Sequence, residues 1–217
     1  RTGGILAPTG SHDPFYFLIE RYSGGSDHDV FVDGSIRIPA VLMIAWPDQW
    51  YHSSGDTPDK SDATQFKRVV TISAAAAEFL ANAGPAEAER MMAEISARQG
   101  GRLGDDKARA ERLLLAADAK SVQAAAREAR VLVNQGFVRE KKALASVRYF
   151  VGKDAGAEGA LTGRLAGLDA VRAAHIRGID DLYASRCRSL TVKAEKAVPT
   201  KDEVRLAGLV PVRTERM

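Results

Sequence analysis

Residues 50 to 62, WYHSSGDTPDKSD, place one imidazole, His52, beside Trp50 and Tyr51 and shortly before Asp56, Asp59 and Asp62. A neutral imidazole binds a metal ion through one ring nitrogen while its other N–H donates to a carboxylate, and Asp56 or Asp59 stands near enough along the chain to accept. Upstream lies a second polar cluster, SGGSDHDVF, in which Ser26, Asp27 and His28 follow Gly24 and Gly25. No phosphate-binding fingerprint opens a helix after those glycines, so they serve backbone conformation.

The segments around these clusters must position them. FYFLIERY (15–22) and IPAVLMIAW (38–46) have the apolar character of strands, and the second, a continuous apolar run, suits a sheet interior covered on both faces. His52 then lies in the loop leaving the carboxyl end of a strand, where open parallel sheets collect ligands. A helix is expected next, capped by Ser61 or Asp62, with Phe66, Val69, Val70, Ser73, Ala77 and Leu80 on one face and Gly84–Pro85 at its end. The alanine-rich remainder predicts helices over about 86–98, 105–134, 137–150 and 160–185, broken at RQGGRLGDD, Gly136 and GKDAGAEG. Leu115, Val122, Ala126, Ala129 and Val133 form one stripe, read as a packed helix hairpin in preference to a partner-binding coiled coil, for which it is too short and too rich in alanine. The expected fold class is therefore α/β: a partial sheet with flanking helices over residues 1–84, then a mostly α-helical region over 85–217.

Composition narrows the function. With 45% hydrophobic and 27% charged residues in 217, the chain has the balance of a globular protein able to bury a core. The sole cysteine, Cys187, excludes an intrachain disulfide and a cysteine-built zinc site. No run reaches the roughly 18 apolar residues of a membrane span, and RTGGILAPTG lacks the features of a signal peptide. An opening arginine rather than methionine suggests that the natural beginning lies upstream. Residues 1–84 hold six basic and ten acidic side chains, whereas the rest is net basic. That basic excess is interleaved with acids and short of aromatic residues for base stacking, which argues against nucleic acid as a partner.

In order and spacing, Ser26, Asp27, His28, Phe31, Ile38, Pro39, Tyr51, His52, Asp56 and Thr57 resemble the last third of the catalytic domain of metallopeptidase family 28, the dizinc aminopeptidases, whose fold is similar to that of glutaminyl cyclases. The likeness spans roughly residues 13 to 83. It implies that His52 is the last protein ligand of one of two zinc ions, that Asp27 is a catalytic carboxylate near the metals, and that Tyr22 lies on the same approach. Trp46, Trp50 and Tyr51 would line the pocket for a substrate side chain, with Asp56 supporting His52. In such enzymes the zinc ions activate a bridging water and polarise the scissile carbonyl while a glutamate acts as general base.

The departures matter as much. The family needs an upstream histidine-x-aspartate, a bridging aspartate, a glutamate pair and a further carboxylate, and this chain has neither a histidine-x-aspartate nor adjacent glutamates. The expectation is a C-terminal piece of a secreted or periplasmic zinc exopeptidase acting on peptides, inactive without the missing N-terminal part of its catalytic domain and able to form a homo-oligomer. The alternatives are a non-catalytic peptidase-like binding or assembly protein, and acyl transfer of the glutaminyl cyclase kind.

Overall fold

The computed structural model describes residues 17–20, 22–33, 36, 38, 40–196 and 201–209. The chain divides into two compact units, Arg1–Leu80 with Val210–Met217, and Ala81–Leu209.

The first unit corrects the expected fold class. Among the described residues there is no strand or sheet, and the fold is all-α. Phe15, Tyr16, Arg21 and Pro39 of the two expected strands lie outside the described residues, and the rest of both segments has no regular structure. An apolar run becomes a strand only when neighbours take up its N–H and C=O groups and covering layers remove its side chains from water. Among the described residues no backbone–backbone hydrogen bond reaches 40–46, and Val41 and Ile44 are 77% and 56% exposed. The unit's helices are a short α1 (His28–Val32) and α2 (Ala63–Asn82), with a 3-10 turn at Pro58–Lys60 between them. Asp62, rather than Ser61, caps α2: its Oδ1 accepts from Thr64 N at 2.7 Å and Gln65 N at 3.2 Å. Phe66, Val70 and Leu80 on the expected inner face of α2 are exposed.

The second unit is a three-helix bundle of α3 (Pro85–Ala116), α4 (Val122–Ala145) and α6 (Ala155–Ser189), with a single-turn α5 (Arg148–Val151) between the last two and a short α7 (Lys201–Ala207) after them. Cross-helix bonds fix the directions. Arg102 reaches Glu140 and Asp106 reaches Arg139, while Arg130 pairs with Asp180 and Lys141 with Asp169, so α4 runs antiparallel to both neighbours. Arg164 bonds Ser96, which places the first half of α6 beside the first half of α3. Met92, Leu114, Val133, Phe137, Leu161 and Ile179 are among the side chains closing the core.

Helix boundaries differ from the periodicity in instructive ways. α3 runs unbroken through Gly100, Gly101 and Gly104, because a helical glycine costs only about 1 kcal/mol relative to alanine and burial of Leu103 and Ala110 in the core outweighs it. α4 likewise continues through Gly136, where a Cβ would lie 2.7 Å from Asp106 Oδ2, so the glycine admits a carboxylate from α3. The break comes instead at Ala117–Ser121, inside the expected 105–134 helix. There Asp118 Oδ1 accepts from Lys120 N at 3.0 Å and Ser121 N at 2.9 Å, and Asp118 N donates to Ser121 Oγ at 3.0 Å. These side-chain bonds close a turn over Asp118–Ser121 that competes with continued helix and leads into α4. Val122, Ala126, Ala129 and Val133 are buried as a stripe, but Leu115 is 55% exposed and Leu114 takes the core position.

On α6, Gly159, Gly163 and Gly167 lie on an exposed face where an added Cβ meets nothing within 4 Å. Gly163→Ala should therefore stabilise the bundle by about 0.5–1 kcal/mol through reduced unfolded-state entropy. Thermal unfolding checks this; a lowered midpoint would mean that the face is covered in solution.

Candidate functional site

Two stretches of the first unit carry the candidate residues. In the first, the glycines shape a turn that brings Asp29 back over it. Gly25 adopts φ 116°, open to glycine, and its N–H donates to Asp29 Oδ2 at 2.8 Å. A Cβ on Gly24 would meet the same oxygen at 3.0 Å. The other carboxylate oxygen accepts the Tyr22 hydroxyl. That bond raises the Tyr22 pKa and, with the Gly25 N–H, lowers that of Asp29.

His28, first residue of α1, is buried and donates Nε2–H to the Ser23 carbonyl at 2.8 Å, with the Tyr22 ring tilted against it at 5.6 Å. Asp27, the expected catalytic carboxylate, is exposed at the N-terminus of α1 and makes no capping bond through its side chain. The carboxylate that organises this turn is Asp29. Its sequence signal is the paired glycine: Gly25 takes a positive φ that other residues rarely adopt, and a Cβ on Gly24 would crowd the Asp29 carboxylate.

The second stretch is the His52 loop. Trp50 N donates to Asp48 Oδ1 at 2.8 Å, Ser53 Oγ donates to the Trp50 carbonyl at 2.7 Å, and Gly55 N donates to Ser53 Oγ at 3.2 Å. Gly55 lies against the Trp50 ring, where a Cβ would come within 2.8 Å. The Trp46 ring meets Tyr51 edge-on at 5.6 Å, Tyr51 stacks on His52 at 3.7 Å, and Lys60 Nζ sits 4.9 Å from the centroid of Trp50. His52 has φ 57°, a left-handed conformation uncommon for a non-glycine residue, and its side chain is exposed.

The structure therefore gathers Trp46, Trp50, Tyr51 and His52 into one aromatic loop. It brings neither Asp56 nor Asp59 to the imidazole. Asp56 is exposed, and Asp59 accepts from Thr57 Oγ1 and Lys60 Nζ, which together lower its pKa. No group of three or more histidine, cysteine or carboxylate side chains able to hold a metal occurs among the described residues. No described helix is long and apolar enough to cross a membrane.

No family model matches the chain, and no curated protein or solved structure matches it. Nothing in these comparisons identifies a relationship to metallopeptidase family 28.

Proposed function

We propose that this chain contributes the last imidazole ligand and part of the substrate pocket to a zinc exopeptidase of aminopeptidase type. The observation that carries the proposal is the presentation of His52: an exposed imidazole in a left-handed backbone position, backed by the Tyr51 ring on a loop closed by its own hydrogen bonds. A ligating side chain must be pre-oriented by its surroundings, and stacking with loop closure supports that role. Trp46, Trp50 and Tyr51 offer an apolar wall beside it.

The described residues do not by themselves fit a zinc centre, because one imidazole is fewer than the three protein ligands of a catalytic zinc site. The remaining donors and the general base would come from other segments of the natural protein.

Elemental analysis and leucine-p-nitroanilide hydrolysis on the natural full-length protein and its His52→Ala variant test the proposal. Stoichiometric zinc and turnover in the natural protein, with turnover falling by at least about a hundredfold in the variant, is the expected result. A natural protein without stoichiometric metal would overturn it and favour the non-catalytic binding protein, for which the exposed apolar run Val41–Trp46 would be the contact surface. Metal with cyclisation of amino-terminal glutamine in place of hydrolysis would select glutaminyl cyclase-like acyl transfer.

A further inference from the structure

We propose that residues 190–196 form a strap, latched across the end of the bundle by Gln123 and Tyr183, that opens about Thr191 while the three long helices stay folded. The proposal concerns the second unit alone and stands independently of the exopeptidase assignment.

The closed form begins at the end of α6. Thr191 N donates to the Arg188 carbonyl at 3.2 Å and Val192 N to the Cys187 carbonyl at 2.9 Å, the paired bonds that end many helices by turning the chain back on itself. That motif puts its turning residue in the left-handed region, where glycine is usual. Here the place is held by Thr191, with φ 56° and a β-branched side chain that disfavours the angle. The turn is strained, and contacts made by the strap must hold it closed.

Those contacts are few. Leu190 and Val192 pack, half-buried, against the core, whereas Lys193, Ala194, Glu195 and Lys196 are exposed. The backbone of this exposed stretch is held by two side chains of the bundle. Gln123 Nε2 donates to the Lys193 carbonyl at 2.9 Å, Gln123 Oε1 accepts the Tyr183 hydroxyl, and the same hydroxyl accepts from Glu195 N at 2.8 Å. The phenol has one proton, which goes to the nearer acceptor, Gln123 Oε1, rather than to the Glu195 carbonyl at 3.3 Å. Amide and phenol thus act as one latch. A segment tied by a few backbone bonds, with its side chains in water, opens at a lower free energy than the core beneath it.

The helices have ties of their own at this end. Arg186 Nη2 donates to the Ala117 carbonyl at 2.7 Å and Arg130 Nε to Asp180 Oδ1 at 2.7 Å, so the strap can leave without parting them. Cys187 lies at the latch, 1% exposed, with its thiol beside the Tyr183 hydroxyl. Its accessibility therefore reports whether the strap is closed.

Iodoacetamide modification of the full chain, with Cys187 followed by peptide mass spectrometry, tests the proposal. In the unsubstituted chain the rate should be measurable without denaturant and nearly insensitive to low urea, because opening a strap exposes little surface. Tyr183→Phe and Gln123→Ala should each raise it roughly fivefold to tenfold, the scale of one net hydrogen bond, with helical circular dichroism unchanged. Thr191→Asn should lower it about threefold, since asparagine takes left-handed angles more readily. A substitution that merely loosened the fold would act in the opposite direction.

Modification that rises with urea at the slope of global unfolding, in the unsubstituted chain and the variants alike, would overturn the proposal, because Cys187 would then be reached only through the unfolded chain. A Thr191→Asn rate equal to or above that of the unsubstituted chain would overturn it as well, by removing the hinge.

Discussion

Arg102→Ala should destabilise the helical bundle by roughly 3–5 kcal/mol, the cost of leaving a buried carboxylate short of its partner. Glu140 is fully buried on α4. Arg102 Nε donates to its Oε1 at 2.9 Å and Nη2 binds Oε2, while Arg139 Nε donates to Oε1 at 2.9 Å and Nη2 reaches Asp106 Oδ2 at 2.9 Å. Without Arg102 the carboxylate keeps only a half-exposed guanidinium that it shares with Asp106. Adding Glu140→Leu should recover much of the loss, because the buried charge then goes with its partner. Urea unfolding followed by helical circular dichroism measures all three proteins. A single-variant loss below about 1 kcal/mol would mean that Glu140 is solvated or neutral, since that is the range of an ordinary exposed pair.

The same pair sets an acid response. Burial pushes the Glu140 carboxyl up, but the two guanidinium groups outweigh it and hold the pKa below the usual glutamate value. A carboxyl depressed in the folded state contributes stability above its unfolded pKa of about 4.3 and loses it as pH falls through the lower folded value. The gap between natural protein and Arg102→Ala should therefore narrow on acidification, because a neutral Glu140 has less need of a cation. A gap that stays constant across that range would assign the loss to packing of the arginine stem.

Phe137→Ala should cost about 3–5 kcal/mol, as removal of a buried aromatic side chain usually does. Phe137 is 1% exposed in the core of the bundle, and the ring of His175 from α6 packs edge-on against it at 5.3 Å. Burial lowers the His175 pKa, aided by Lys107. Truncation opens space beside this imidazole that the rigid helices can close only in part, so both lost transfer energy and residual cavity contribute. Phe137→Leu, which keeps most of the apolar volume, should recover more than half of the loss in the same unfolding assay. Equal losses for both variants would point to the aromatic contact with His175 as the dominant part.

The sequence alone determined those features whose physics is local. The start of α2 was legible because an aspartate capping free N–H groups needs only its next few residues. The buried stripe from Val122 to Val133 was legible because helical periodicity puts those side chains on one face in any packed context. The Asp118–Ser121 break is also local in origin, a turn closed by the side chains of an aspartate and a serine with no glycine in it. His52 and its flanking aromatics stood out as residue types, although their stacking and the left-handed φ of His52 come from the folded loop.

Tertiary structure decided the rest. Gly100, Gly101 and Gly136 did not break helices, because distant core contacts compensate a local penalty of about 1 kcal/mol each. Leu114 rather than Leu115 entered the core, a choice made by helix rotation against α4 and α6. The apolar run at 38–46 was not a strand among the described residues, because β-structure exists only through hydrogen-bonding partners that need not be near in sequence. Asp29 rather than Asp27 closed the glycine turn for a related reason: both are aspartates beside His28, and only the folded turn selects which carboxylate faces Tyr22 and the Gly25 N–H.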